Sequence, residues 1–390
     1  MKREIEYESV ENFTKIALTA DSASYEISVG TGLLSGLHVA LECAAGGRKY
    51  RPFLVTSSNI WELWAERVRA SFPEAGHPKV LFLPAGEKYK RINAVEALAE
   101  QLAEAGADRD ALLVAFGGGV IGDITGFLAG IYMRGVPYIQ VPTTLLAQVD
   151  SSVGGKTGVN LAAGKNLVGI FNHPKAVLVD LELLSTLPEH ELRAGLQESV
   201  KAGIIRDPAL FELLERERER ILAGDTALLG EVVAASIRVK ANVVAQDEKE
   251  AGLRMILNFG HTLGHAIEAA TGYKKLLHGE AVGWGSIAAL HLGLARKSIN
   301  EEEFARMANL ILAYGPLPRF RAKPERLVEL TASDKKTRSG RRAFVLPTGV
   351  GSVEVVYDVT DAELTQAAAK MLGDMTRLTK SGLTKSGGAA

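Results

Sequence analysis

A single cysteine, Cys43, stands in 390 residues. This excludes an intrachain disulfide and any cysteine-rich metal centre, and it makes a reducing compartment, the cytoplasm, the expected location. Charge bias is also lacking: 45 Lys and Arg face 46 Asp and Glu, a formal net charge of -1, so neither nucleic acid nor an acidic membrane is an expected partner. No long unbroken apolar run occurs. The most apolar stretch, Ala111 to Leu146, is interrupted by Gly117, Gly118, Gly119, Asp123, Arg134 and Pro142, which suits buried strands and loops and not a membrane helix. Met1 to Ala20 mixes Lys2, Arg3, Glu4, Glu6, Glu8 and Glu11 with scattered apolar residues, a pattern neither of a signal peptide nor of a spanning segment.

What is present is ordinary globular composition, 47% hydrophobic and 23% charged, in a chain long enough for two domains. The first half alternates β-branched runs with helical patterns. Strands are expected at Phe53 to Thr56, Val80 to Leu83, Ala111 to Phe116, Tyr138 to Val141 and Val177 to Asp180, with helices near Ile60 to Phe72, Ala94 to Ala105 and Gly122 to Arg134. This βαβ rhythm predicts an α/β, Rossmann-like domain with a mostly parallel sheet over residues 1–187. Thr186-Leu-Pro-Glu189 has the form of a capping box, and a helical pattern follows. Leu210 to Leu222, Ala227 to Gln246, Met255 to Ala270 and His278 to Lys297 are its strongest segments, so an all-α second domain is expected over 188–378. Residues 343–346 and 353–357 suggest a small hairpin within it. The polar repeat from Thr379 to Ala390 is expected to be a disordered tail.

Residues 148–166 concentrate one acid, two lysines, two asparagines, hydroxyls and four glycines in a short stretch. Glycines let backbone close on a ligand, lysines meet anions, and Asp150 and the asparagines can fix hydroxyls, so a polyhydroxylated anionic substrate is expected here. Gly117-Gly-Gly-Val-Ile-Gly122 satisfies GxGxxG in a strand-to-helix context that can hold a pyrophosphate. The acid expected about 20 residues later is replaced by Gln140-Val-Pro-Thr-Thr144, so an ordinary Rossmann site is not indicated. Asp123, Thr143 and Thr144 favour a nucleotide site of less common form. His261-Thr-Leu-Gly-His265 sets two imidazoles one helical turn apart, and Thr262 stands where a zinc protease would carry its Glu. A third histidine follows in Leu277-His-Gly-Glu280. Glu198 is either a capping acid or a metal ligand. The cations near these motifs are Arg134, Lys156, Lys165, Lys201, Lys240 and Arg254. On a continuous helix, Arg254 and Asn258 would share faces with His261 and His265 and could bind an anion beside a metal.

In combination these motifs resemble dehydroquinate synthase, the sugar-phosphate cyclase family of the shikimate pathway. The matching stretches are Gly117-Gly-Gly-Val-Ile-Gly-Asp123, Tyr132-Met-Arg-Gly135, Gln140 to Lys156, Gly164-Lys-Asn166, Leu257-Asn-Phe-Gly-His-Thr-Leu-Gly-His265 and Leu277-His-Gly-Glu-Ala-Val282. The resemblance implies that Glu198, His261 and His278 bind a divalent metal, zinc or cobalt, with His265 beside them as a catalytic group. It implies NAD contacts from Glu87, Lys90, Gly118, Gly119, Asp123, Thr143, Thr144, Lys165, Thr186 and Leu187. It implies substrate contacts from Asp150, Lys156, Asn166, Lys201, Lys240, Arg254, Asn258 and a lysine of Lys335-Lys336, with Arg134 near the phosphate. Lys156, Lys240, Arg254 and Asn258 would also belong to the catalytic machinery. The family reaction converts the keto sugar-acid phosphate DAHP into 3-dehydroquinate and phosphate by transient NAD oxidation, phosphate elimination, reduction, ring opening and intramolecular aldol closure. A homodimer is expected by the same analogy.

Two local departures stand out. Val55-Thr-Ser-Ser-Asn59 places Ser57 or Ser58 where the family often carries an acid for the adenosine ribose, and Gln197-Glu-Ser199 surrounds the metal carboxylate where Ala-Glu is commoner. The rivals are other sugar-phosphate cyclases, which make inosose or valiolone-type rings from different phosphates, metal-dependent polyol dehydrogenases such as glycerol dehydrogenases, and a non-catalytic metal and nucleotide binding module. Lys240, Arg254 and Asn258 suit a substrate with a carboxylate as well as a phosphate, which favours DAHP.

Overall fold

The structure is a computed structural model and describes residues 7–10, 13–73, 76–331, 337–338 and 341–383. Its elements in chain order are β1 (Tyr7–Val10), β2 (Phe13–Thr19), β3 (Ser24–Gly30), α1 (Leu37–Ala45), β4 (Arg51–Thr56), α2 (Ser58–Ala70), β5 (Lys79–Phe82) and α3 (Ile92–Glu104). Next come β6 (Ala111–Gly117), α4 (Gly119–Ile131), β7 (Tyr138–Pro142), β8 (Lys156–Leu161), β9 (Gly164–Phe171) and β10 (Ala176–Asp180). Helices α5 (Glu189–Ile205), α6 (Pro208–Arg216), α7 (Arg218–Leu222), α8 (Thr226–Gln246), α9 (His261–Ala270), α10 (His278–Ala295), α11 (Glu301–Ala313) and α12 (Pro324–Thr331) follow. The short pairs β11 (Thr337–Arg338) with β12 (Arg341–Arg342) and β13 (Phe344–Gly349) with β14 (Ser352–Val356) precede α13 (Asp361–Leu383). No helix among the described residues is long and apolar enough to cross a membrane.

Two compact units emerge: the described residues of Met1–Gly195 with Asp225–Glu248, and those of Leu196–Gly224 with Lys249–Ala390. The first is built on an eight-stranded sheet ordered β1-β2-β3-β10-β7-β6-β4-β5. Pairing is parallel from β3 through β10, β7, β6 and β4 to β5, and antiparallel among β1, β2 and β3. All seven residues of β6 are buried, which explains why its sequence reads as one apolar run and not as an alternation. Leu113 and Ala115 pack with Val95, Leu98 and Leu102 of α3 and with Ile124 and Leu128 of α4. Leu112, Val114 and Phe116 pack with Leu37 and Leu41 of α1 and with Trp64 and Val68 of α2. Helices therefore cover both faces of the sheet, the three-layer arrangement that a buried parallel sheet requires.

The structure departs from the sequence expectations in several places. Helix α8 packs on β2 and β3 and belongs to the first unit, whereas its pattern alone assigned it to the C-terminal half. Helical spacing locates a helix but does not say what it packs on. The pattern over Met255 to Ala270 is not one helix: Leu253–Asn258 is a 3-10 turn, Gly260 takes φ 75°, and α9 starts at His261. The shared helical faces expected for Arg254, Asn258, His261 and His265 are therefore not formed. Residues Leu210 to Leu222 likewise divide, with Glu217 separating α6 from α7. Helix α13 extends to Leu383, past Thr379 where the tail was expected to begin, and residues 384–390 of that expected tail lie outside the described residues. The second unit is helical apart from its two short strand pairs, and the expected hairpin is β13–β14.

Candidate active site

In the first unit, β6 ends at Gly117 and α4 begins at Gly119, so the glycine motif forms the expected strand-to-helix turn with Gly118 as N-cap. A Cβ on Gly118 would lie 3.1 Å from Thr144 Cγ2, and one on Gly119 would lie 2.9 Å from Ser151 Oγ. The glycines therefore let the helix N-terminus sit close to the Thr143–Thr144 segment, which is itself tied back by the Thr143 amide to the Gly117 carbonyl at 3.1 Å. Such a terminus offers backbone N–H groups and a positive dipole end to an anion. Ser57 is buried at the end of β4, next to β6 in the sheet, while Ser58 is exposed at the start of α2.

Lys90 is the hub of the adjoining polar network. Its ammonium pairs with the Asp123 carboxylate and donates to Asn166 Oδ1 at 2.6 Å. Burial pushes the Asp123 carboxyl above the usual carboxylate range, and the Lys90 charge and hydrogen bond oppose that push. Asn160 is used within the same network: its side chain donates to Glu87 Oε1 at 2.7 Å and accepts from the Asn166 amide at 2.8 Å. Asn160 thus serves this internal network, and Asn166, the other asparagine of the stretch, also belongs to it. Lys165 Nζ lies 3.9 Å from Glu87 Oε1. Asn160 sits on β8, and Lys165 and Asn166 sit on β9, strands of a hairpin that the glycine-rich sequence did not announce. At its centre Gly158 and Gly169 face each other so closely that a Cβ on Gly158 would lie 2.5 Å from the Val168 carbonyl oxygen.

The Ala147–Ser151 segment forms a π-type turn, with Gln148 donating to the Pro142 and Asp180 carbonyls at 3.2 and 3.0 Å. Asp150 is thereby held where Lys240 of α8 donates to its carbonyl at 2.6 Å and to Oδ1 at 2.5 Å. Lys156 opens β8 and is exposed, as is Arg134 at the turn after α4. Thr186 accepts a hydrogen bond from Trp64 Nε1 at 3.3 Å, and the Leu187 amide donates to Leu184.

In the second unit, Glu198 of α5, His261 of α9 and His278 of α10 form a group whose donor atoms all lie within 4.8 Å of one another. Nε2 of His261 and Nε2 of His278 are each 3.7 Å from Glu198 Oε1. Nδ1 of His261 lies 3.0 Å from the Phe259 carbonyl, which can only accept, so Nδ1 donates there and Nε2 is the ring nitrogen that faces the carboxylate. The ring of His265 stands 5.5 Å from that of His261 and 5.9 Å from that of His278. Lys201 pairs with Glu198 one helical turn away. Arg254 is buried, and Asn258 donates to Glu250 at 2.8 Å. Lys335 and Lys336 lie outside the described residues. Two imidazole nitrogens and a carboxylate are a donor set suited to zinc or cobalt, and three protein ligands leave coordination positions for a substrate oxygen.

The crossing of α9 and α10 brings these histidines together. A Cβ on Gly285 would lie 1.9 Å from the Gly260 carbonyl oxygen and 2.7 Å from the Gly264 nitrogen, and one on Gly260 would lie 2.3 Å from Ser286 Oγ. Glu268 of α9 was not expected from sequence, yet it is buried with Oε1 3.5 Å from Nδ1 of His278. Its signal was its position, seven residues after His261 and three after His265 on one helix.

Residues 80–194 match the family model described as 3-dehydroquinate synthase N-terminal, and residues 195–337 match that described as 3-dehydroquinate synthase C-terminal. The chain is 45% identical over 361 residues to a 3-dehydroquinate synthase of Koribacter versatilis (strain Ellin345), covering 92% of this chain and 98% of the relative. It is 48% identical over 322 residues to that of Solibacter usitatus (strain Ellin6076), covering 82% and 90%. Among solved structures it is similar to the 2-epi-5-epi-valiolone synthase ValA of Streptomyces hygroscopicus subsp. jinggangensis 5008 with NAD+ and Zn2+ bound. That likeness has a TM-score of 0.82 and 28% identity, covering 91% of this chain and 99% of the other. A 2-deoxy-scyllo-inosose synthase complexed with carbaglucose-6-phosphate, NAD+ and Co2+ is similar at TM-score 0.77 and 25% identity, covering 91% and 99%. With family models spanning two thirds of its length and relatives alike over nearly all of it, the chain belongs to the 3-dehydroquinate synthase family.

Proposed function

We propose that this protein converts DAHP into 3-dehydroquinate and phosphate, using NAD and a divalent metal. The observation that carries the reading is the convergence of Glu198, His261 and His278, in a chain that also retains the glycine turn and its Lys90–Asp123 partner network. The identity of 42–48% to 3-dehydroquinate synthases over most of the chain favours this over the valiolone and inosose rings made by the less similar cyclases.

When bound, the metal supplies Lewis acidity at a substrate oxygen and NAD supplies reversible hydride transfer. The chain's own residues position and protonate. Glu87, Lys90, Gly118, Gly119, Asp123, Thr143, Thr144, Lys165, Thr186 and Leu187 are assigned to NAD, the glycines by exposing backbone N–H groups and Lys90 by holding Asp123 and Asn166 in one arrangement. Glu198, His261 and His278 hold the metal. Lys156, Lys201, Lys240, Arg254 and Arg134 recognise the carboxylate and phosphate, with Asp150, Asn166 and Asn258 on hydroxyls and one of Lys335 and Lys336 completing the set. Asp150 fixes the Lys240 ammonium through two short hydrogen bonds, so this cation is oriented before substrate arrives. His265, one turn along α9 from His261, is placed to hold and move a proton. The protein is also proposed to act in the cytoplasm as a homodimer, the latter checked by light scattering.

The test is a product assay. Purified protein with NAD and Zn2+ or Co2+ should release phosphate from DAHP and form 3-dehydroquinate. Folded protein that releases no phosphate with any divalent metal would refute the reading.

A further inference from the structure

The two histidines of the Glu198 group are oriented by different means. For His261 the partner of Nδ1 is the Phe259 carbonyl at 3.0 Å, a backbone group fixed by the turn that precedes α9. For His278, the first residue of α10, the group facing Nδ1 is the Glu268 carboxylate, with Oε1 at 3.5 Å. Nε2 of the same ring faces Glu198 Oε1 at 3.7 Å, so the imidazole stands between two carboxylates, one on each nitrogen. Glu268 itself is only 3% exposed. A carboxylate is costly to bury, and a helix interior at this position would accept Ala or Leu more cheaply, so its place beside His278 needs a reason.

We propose that Glu268 is the positioning residue for His278: its carboxylate accepts the Nδ1 proton, which fixes the tautomer, aims Nε2 at the metal and raises the basicity of that nitrogen. A ligating histidine ordinarily donates its second N–H to such a partner, and loss of the partner typically weakens metal binding by about 10–100-fold. The arrangement is built by the crossing of α9 and α10, because Glu268 is on the first helix and His278 on the second. Gly264, whose Cβ would lie 3.2 Å from the Ala281 carbonyl oxygen, allows that approach. The competing interpretation is a second metal site, since His265, Glu268 and His278 also have donor atoms within 4.8 Å of one another. Both could not operate through His278 Nδ1 at once: a metal there would displace the proton that Glu268 accepts. The proposal rests on the metal reading of the Glu198 group.

The test uses full-length protein stripped of metal and titrated with Zn2+ against a chromophoric chelator, with wild type, Glu268→Gln and Glu268→Ala compared. Wild-type protein should bind one Zn2+ per chain; binding of none would sink the metal reading itself, and binding of two with loss of one in Glu268→Ala would make Glu268 a ligand and overturn the proposal. Glu268→Ala should retain the single site with affinity reduced about 10–100-fold, and Glu268→Gln, which keeps an acceptor oxygen but not the charge, should fall between. The visible d–d spectrum of the Co2+ form should change in Glu268→Ala as the ring loses its fixed orientation. Equal Zn2+ affinity and an unchanged Co2+ spectrum in both variants would overturn the proposal, as would a drop in metal-free thermal stability without any change in affinity. Retained NAD binding by both variants reports that the fold is intact, so a misfolded Glu268→Ala leaves Glu268→Gln to decide.

Discussion

Substitution of Gly285 by Ala tests whether the α9–α10 crossing sets the geometry of the metal group. The added Cβ would stand 1.9 Å from the Gly260 carbonyl oxygen, where real Cβ contacts are essentially never below 3.0 Å, so the helices must part by at least about 1 Å. Both obstructing groups, the Gly260 carbonyl and the Gly264 nitrogen, are backbone, and no rotamer change relieves them. Gly260 immediately precedes His261, and Gly285 is seven residues after His278, so the displacement acts directly on two of the three donors. Metal–nitrogen bonds tolerate only about 0.2 Å of error, several times less than this shift. The expected outcome is a loss of about 1–3 kcal/mol in folding stability and a fall in Zn2+ affinity of 100-fold or more. Gly373→Ala in α13 is the matched control, since a Cβ there meets nothing within 4 Å and should stabilise the helix by about 0.5–1 kcal/mol. Chelator competition measures the affinity and thermal denaturation the stability. If Gly285→Ala bound Zn2+ as wild type does, the helix crossing would not control the donors and the reasoning would fail.

Three further outcomes are expected. Lys90→Met removes the cation that offsets burial of Asp123, costing about 3–5 kcal/mol in denaturant titrations at neutral pH and weakening NAD binding in calorimetry. Because the Asp123 carboxyl is already raised, and a raised group loses stability as pH climbs through its folded pKa, the Lys90→Met defect should shrink toward acid pH; a pH-independent defect would contradict this. Glu363 is held at about 2 by hydrogen bonds from Arg296, so its contribution is present above the ordinary value of 4.5 and lost as pH falls from there toward about 2. With 32% of its side chain exposed, about 1 kcal/mol is expected after screening, and Glu363→Gln should abolish that part of the acid dependence. His265→Ala should lower turnover about 100-fold or more while inductively coupled plasma analysis shows metal content near wild type; loss of metal would reassign His265 as a ligand.

The α/β rhythm was legible because the central strands are buried on both faces: Ala111–Gly117 reads as strand from its own composition. The N-terminal β2 and β3 were not seen, since antiparallel strands near an edge carry mixed residues such as Lys15 and Glu26, which pair across the two strands at 3.2 Å. Their identity as strands comes from partners distant in sequence. The β8–β9 hairpin escaped for a different reason. Its central glycines oppose each other backbone to backbone, and a glycine selected for close approach looks in sequence like a glycine selected for a turn. Gly260 has the same ambiguity: only its φ of 75° and its close approach to α10 show that it is the N-cap from which α9 begins at His261.

The candidate site was legible to the extent that its residues are chemically conspicuous. Three histidines in eighteen positions, or two lysines among four glycines, stand out against ordinary composition. Residues that act on other residues do not. Asn160 is indistinguishable from a substrate-binding asparagine until its side chain is found on Glu87 and the Asn166 amide, and Glu268 is one glutamate among many helical ones until α10 brings His278 to it. Orientation is a property of a pair, and both pairs join segments that only tertiary contacts align. Resemblance in motifs therefore proposes the ligands of such a centre before its supports, and substitutions at Glu268 and Gly285 probe the part of the site that motif matching leaves unassigned.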